Sequence, residues 1–315
     1  MVFQIGEEHG KADVVMTQKI KNRGLLLAVD VSDHALEAVR YVSKTGPFQD
    51  KEVVVFTVHG KIPEYYWDLE KDPPLGWRIK NVRAWEREYE KRTHEYMDRA
   101  RKILWRAGFP KDAVKIKIHK REKGLARDII KEAQSGYSCV VVGRKGMSEV
   151  KGLVLGSVTA KLLEKITFIP LIVVGRTPHP GTVLLAMDGS EGAMRAVDFV
   201  GKMLGGFDFE VGLIHVIRGD KKAYIQEIEK QMSRVFNEAS GRLLSSRFEL
   251  NQISTKMITG VHSRAETIVE EAGKGGYGTI VVGRRGLSKV KEFLIGGVSN
   301  KVIQLAKKQA VWVVS

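Results

Sequence analysis

The chain has 315 residues, 43% of them hydrophobic and 28% charged, a balance that excludes a disordered or fibrous chain and fits two ordinary globular units. A single cysteine, Cys139, excludes an internal disulfide framework and any multi-cysteine metal site. The net charge of +15 raises nucleic acid, anionic membranes and polyphosphates as partners to be weighed.

The first twenty residues carry Glu7, Glu8 and Asp13 and lack both a basic start and an apolar run, so no secretory signal is expected and a cytoplasmic location is. The longest apolar stretches, LLLAV from Leu25 and VVVF from Val53, fall far short of the roughly 20 residues that cross a bilayer. Short β-branched runs predict strands at Leu25 to Asp30, Val53 to Val58, Val114 to His119, Cys139 to Gly143 and Leu171 to Gly175. Helices are expected between them, at Ala35 to Ser43, Asn81 to Ala107, Leu125 to Gln134 and Ser157 to Lys165. The plan repeats with strands at Val183 to Asp188, Val211 to Val216, Ser254 to Thr259, Thr279 to Gly283 and Val311 to Val314. Continuous rather than alternating apolar runs belong to strands covered on both faces, which gives a parallel α/β sandwich of five strands in each half.

The halves are copies. LLLAVDVSDHALEAV from Leu25 matches VLLAMDGSEGAMRAV from Val183, and GRKGMSEVKGLVLGSVTAK from Gly143 matches GRRGLSKVKEFLIGGVSNK from Gly283 at nine of nineteen positions. A period of this size is that of a domain, so the fold class is α/β with two repeated five-stranded parallel sandwiches of the doubly wound, Rossmann-like kind. The expected domains are 1–177, with an insertion at about 61–78, and 178–315, joined through the prolines of 176–181.

After the fourth strand the first copy reads Gly143, two residues, Gly146, nine residues, Gly156, Ser157. Glycines at a strand end let a bulky ligand approach the backbone, and a Gly-Ser pair opening a helix offers unpaired N–H groups, a hydroxyl and the positive end of the helix dipole. Such a helix start suits phosphate. Asp30 at the end of strand one and Gly143 at the end of strand four mark both borders of the crevice expected where strand order reverses, and the same pair recurs as Asp188 and Gly283. Neither a G-x-x-x-x-G-K-(S/T) loop nor a G-x-G-x-x-G after strand one occurs, so the P-loop and dinucleotide readings fail.

From Arg23 onward the pattern resembles the universal stress protein family in its tandem form, whose nucleotide-binding members carry G-x-x-G-(nine residues)-G-(S/T) after strand four. The resemblance implies the adenine nucleotide alpha hydrolase-like, or HUP-type, fold and ATP, ADP or AMP as ligand, with any Mg²⁺ carried by the phosphates. It implies that Asp30 lines the ribose and adenine side, that the backbone at Val58 meets adenine, and that Gly143, Gly146, Gly156, Ser157 and Val158 hold ribose and phosphates. In the second copy Asp188, Val216, Gly283, Gly286, Gly296 and Val298 match, with His215 on the second strand, and Gly297 departs by standing where the pattern has Ser or Thr. A lost hydroxyl removes one hydrogen bond worth about 1 kcal/mol, so the second site is expected to be the weaker, by up to about tenfold.

Arg144 and Arg284, with Lys145 and Arg285 beside them, are candidate phosphate contacts, against the alternative of solvated loop cations. The histidines show no metal-ligand spacing, and no dedicated metal site is expected. Cys139 reads as a buried thiol. The segment from Pro63 to Trp77 concentrates Tyr65, Tyr66, Trp67 and Trp77 and reads as a cap over the long helix, or a lid or docking surface. Basic residues interleaved with acids, as in Glu86 to Arg92, read as a solvated face, so neither nucleic acid nor membrane is the expected partner. An adenine nucleotide and a protein partner are. The family's dimers pair their fifth strands, so the copies here are expected to form a pseudo-dimer within one chain, with a further homodimer open. The expected function is a nucleotide-binding stress-response regulator, with a nucleotide-free scaffold as alternative. Catalysis, if any, is slow ATP hydrolysis or autophosphorylation, since no base can be assigned.

Overall fold

The computed structural model describes residues 23–60, 76–145, 155–176, 180–286 and 295–315. The first half runs β1 (Arg23–Ala28), α1 (Ala35–Lys44), β2 (Val53–His59), α2 (Gly76–Arg106), β3 (Val114–Lys120), α3 (Leu125–Ala133), β4 (Tyr137–Gly143), α4 (Ser157–Lys165) and β5 (Leu171–Val174). The second runs β6 (Thr182–Ala186), α5 (Glu191–Leu204), β7 (Glu210–Arg218), α6 (Lys222–Ser245), β8 (Ile253–Val261), α7 (Arg264–Lys274), β9 (Thr279–Gly283), α8 (Gly297–Leu305) and β10 (Ala310–Val314). All ten expected strands form. β1 and β6 stop two residues short of Asp30 and Asp188, which therefore sit in the turns that follow rather than closing the strands. α2 starts at Gly76, five residues before the expected Asn81. Residues 61–75, most of the aromatic segment, lie outside the described residues.

The ten strands form one sheet in the order β3-β2-β1-β4-β5-β10-β9-β6-β7-β8. Pairing is parallel within each half and antiparallel only where β5 meets β10, with Ile172 opposite Trp312. The two fifth strands thus cover each other's edges, removing two unpaired strand edges that would invite association. The halves are not separate packing units: the hydrophobic core on each sheet face runs through both. At the centre of one face Trp312 is fully buried between Phe48 and Phe199, and its indole N–H donates to the Tyr41 hydroxyl at 2.9 Å. That hydroxyl also meets Thr279 Oγ1 at 2.8 Å, so a helix of the first half is tied to two strands of the second. Backbones approach closely at the seam. A Cβ added to Gly175 would lie 2.5 Å from the carbonyl of Gln309 and 2.6 Å from that of Lys307, which is why glycine follows β5.

Cys139 is fully buried in β4, and burial pushes its thiol up to about 12, as a structural rather than a reactive cysteine requires. Among the described residues no helix is long and apolar enough to cross a membrane.

Candidate functional site

In each half the strand order reverses between the first and fourth strands, where β1 lies beside β4 and β6 beside β9. The connections leaving those neighbours diverge, and a crevice opens beyond their carboxyl ends. The first crevice encloses about 350 Å³ and the second about 290 Å³, at the lower end of the roughly 300–1,000 Å³ that small-molecule sites span.

Six of the eight residues expected in the first crevice line it: Asp30, Val58, Gly143, Gly156, Ser157 and Val158. Gly146 lies outside the described residues. In the second, Asp188, Val216, Gly283, Gly286, Gly296, Gly297 and Val298 all line the cavity. The backbone edge follows from strand register. The Phe56 carbonyl accepts from the Val29 amide at 2.9 Å, so alternate residues of β2 turn their polar groups towards β1. β1 has ended by the level of Val58, whose N–H and C=O therefore face the crevice. Val216 is placed the same way, because Ile214 accepts from the Met187 amide at 2.8 Å.

At the opposite wall α4 and α8 begin. Gly156 and Gly296 are their N-caps, and neither helix has a side-chain capping bond, whereas α5 and α7 are capped by Ser190 and Ser263. Glycine caps leave the first-turn amides of α4 and α8 at the crevice walls with no bond from an N-cap side chain, in the arrangement that favours an anion. Each start is held against its strand by a hydroxyl that the sequence reading missed: Thr159 Oγ1 donates to the Gly143 carbonyl at 2.9 Å, and Ser299 Oγ to the Gly283 carbonyl at 2.8 Å. The signal was present, since the two copies keep a hydroxyl at this position while losing it at Gly297.

The turn carboxylates are oriented. Asp188 Oδ1 accepts from the Ser190 amide at 3.0 Å, and Asp30 Oδ1 accepts from the Ser32 hydroxyl, whose oxygen in turn accepts from the Ala35 amide at 3.2 Å. The aspartates therefore shape the turn and line the crevice together. Gly286 lies against Asp188, where an added Cβ would collide with Oδ2.

Arg144 and Arg284 are corrections. Neither lines a crevice. Arg144 is buried and crosses to the other half, where Nη1 and Nη2 donate to the carbonyls of Ala306 at 3.1 Å and Gln304 at 2.5 Å, at the end of α8. Arg284 makes the reverse contact, donating to the carbonyls of Ile166 at 2.9 Å and of Leu163 at the end of α4. Carbonyls of a last helical turn lack intrahelical partners, and a buried cation both satisfies them and suits the negative end of the dipole. The neighbours of these arginines, Lys145 and Arg285, do line the crevices, together with Arg121 in the first and Arg264 in the second.

The crevices differ at the far end. Leu125, the first residue of α3, lines the first, whereas its counterpart Arg264 lines the second and donates Nε to the Val216 carbonyl at 3.1 Å. His215 also lines the second crevice; its Nδ1 lies 2.7 Å from the Met187 carbonyl, and burial, with the Arg264 charge, holds it below its ordinary value. Tyr89 of α2 lines the first crevice, and its hydroxyl is pushed up by burial and the Asp30 charge. Among the described residues one cluster of metal-ligating types, His119, Glu122 and Asp128, lies next to Arg121 and Leu125 of the first crevice. Its carboxylates are already engaged: Asp128 accepts from the amides of Glu122, Lys123 and Gly124 at 2.9, 3.0 and 3.3 Å, and Glu122 pairs with Lys131 at 2.9 Å. The arrangement holds a loop.

Doubly wound α/β halves, each with a glycine-capped helix start at the wall of a switch-point crevice, define the class of fold. The universal stress protein family profile matches residues 21–175 and again 180–315, and the chain belongs to that family. It is similar to a universal stress protein of Mycolicibacterium smegmatis, 24% identical over 303 residues that span 92% of this chain and 97% of that one. A universal stress protein from Archaeoglobus fulgidus has the same fold, with a TM-score of 0.59 at 21% identity, covering 94% of this chain and 97% of its own. A protein of unknown function from Pseudomonas aeruginosa matches with a TM-score of 0.53 at 17% identity, over 94% and 93%.

Proposed function

We propose that both crevices bind an adenine nucleotide, ATP foremost, and that the protein acts as a cytoplasmic stress-response regulator whose surface or partners change with occupancy. The observation that carries this reading is the pairing, in each half, of a glycine-capped helix start with an outward-facing strand edge at Val58 or Val216. A donor and an acceptor side by side on a strand complement the amine and ring nitrogen of adenine, and the helix amides suit the phosphates. Asp30 or Asp188 would hold the ribose, and Lys145 or Arg285 would add charge at the phosphate end. Each crevice has one carboxylate among its described lining residues, which fits Mg²⁺ arriving on the phosphates rather than in a protein cage. Among the described lining residues no group is assigned as a base for in-line attack, and the reading is of slow hydrolysis or autophosphorylation at most.

The test is to denature freshly purified protein and identify released nucleotide by chromatography. Adenine nucleotide approaching one or two equivalents per chain is expected; protein that retains none and takes up none on incubation with ATP is the nucleotide-free scaffold instead. The second site should be the weaker, because Gly297 offers no hydroxyl and Arg264 already engages the Val216 carbonyl. Arg264→Leu, which restores the residue type at Leu125, is expected to tighten ADP at that site by about tenfold, the worth of roughly one hydrogen bond, in calorimetric titrations.

A further inference from the structure

We propose that the two crevices are energetically coupled, with positive sign, through the arginines exchanged between the halves. The proposal rests on the reading of the crevices as nucleotide sites and gives that reading its regulation. Arg144 follows Gly143 in the wall of the first crevice, and its carbonyl accepts from the Gly156 amide at 3.0 Å, the N-cap of α4. Its backbone therefore braces the glycine that lines the anion-binding end of the first site, while its guanidinium holds the last turn of α8. The first turn of α8 is the anion-binding end of the second site. Arg284 runs the other way: its carbonyl accepts from the Gly296 amide at 2.8 Å, and its guanidinium holds the last turn of α4.

A helix of this length is a stiff rod of about 14 Å whose two ends share one dipole. An anion on the first turn of α8 and a cation on its last turn reinforce each other. Filling the second crevice thus strengthens the hold of Arg144 on α8, and a held Arg144 orders the wall of the first crevice before its own ligand arrives. Linkage makes the effect reciprocal, and the mirrored Arg284 contact supplies it a second time. The copies have diverged at Ser157 and Gly297 and at Leu125 and Arg264, yet both keep this arginine and both aim it across the seam. Simple phosphate binding does not explain that, since neither guanidinium lines a crevice.

Two measurements on the full chain test the link. In the ligand-free protein, amide hydrogen exchange of α8 should accelerate by on the order of tenfold in Arg144→Gln, more than that of α4, and Arg284→Gln should do the reverse. Acceleration confined to the arginine's own half overturns the link. With ATP as probe, calorimetry on Gly156→Leu and Gly296→Leu gives each site alone, and wild type gives both together. The wild-type second step is expected to be about fivefold or more tighter than the isolated sites allow, a factor that falls to one in Arg144→Gln/Arg284→Gln. The paired lysine variants, which keep the charge but not the fork, should fall between and serve where glutamine prevents folding. A wild-type factor of one, or a factor unchanged in the double variants, overturns the coupling while leaving nucleotide binding intact. Absence of ATP binding in wild type removes both.

Discussion

Trp312→Ala is expected to lower the stability of the whole chain by about 3–5 kcal/mol, the range for truncating a large aromatic in a core that cannot collapse. Trp312 is fully buried where β10 meets β5, stacks at 6.0 Å on Phe48, meets Phe199 edge-on at 5.5 Å and anchors the Tyr41 hydroxyl. Phe48 belongs to the first half and Phe199 to the second, so the cavity opens at the junction itself. Because each core runs through both halves, urea unfolding followed by circular dichroism should show one transition moved to lower denaturant, not a half-amplitude step. Trp312→Phe, which keeps an aromatic ring and loses the indole N–H, should cost less, nearer the roughly 1 kcal/mol of one hydrogen bond plus imperfect filling. Two separated transitions with only one shifted would show that the halves fold independently.

The second large effect concerns binding. Gly156→Leu is expected to weaken ATP at the first crevice by about a hundredfold or more, and Gly296→Leu to do so at the second, with the fold retained in both. Each glycine is an N-cap with ordinary extended geometry, φ of −65° and −60°, so a side chain is compatible with the backbone. Among the described residues a Cβ at Gly296 would meet nothing closer than 3.5 Å, from the Arg284 carbonyl. The rest of a leucine side chain, however, would stand before the first-turn amides. Two or three charge-assisted bonds to phosphate, each worth about 1.5–3 kcal/mol, would then be lost together, and a tenfold change in affinity corresponds to about 1.4 kcal/mol. Calorimetry with unchanged circular dichroism checks both halves of the expectation, and affinity within threefold of wild type in both variants would place the phosphates elsewhere.

Much of the architecture was legible because it is written twice. The duplicated aspartates after the first strands and the glycine spacings after the fourth marked both crevices, and continuous β-branched runs marked the parallel sheet. The misreading of Arg144 and Arg284 has a physical source. A cation between two glycines at a strand end suits phosphate on local grounds, and only the β5–β10 pairing brings the ends of α4 and α8 within its reach. Thr159 and Ser299 were visible as a retained hydroxyl in both copies, but the strand carbonyls they meet were not. The inequality of Leu125 and Arg264 was present in the sequence, since each stands 11 residues after the start of the third strand of its half, Val114 or Ile253, but only the folded chain shows both residues lining the crevices.

Equilibrium dialysis of nucleotide-stripped protein against labelled ATP tests the central claim most directly. Saturation near two equivalents per chain, with the first tighter site assigned to the Ser157 crevice by its loss in Gly156→Leu, is the predicted result. Binding below about a tenth of an equivalent at millimolar ATP, in the upper range of enzyme–substrate affinities, would contradict it.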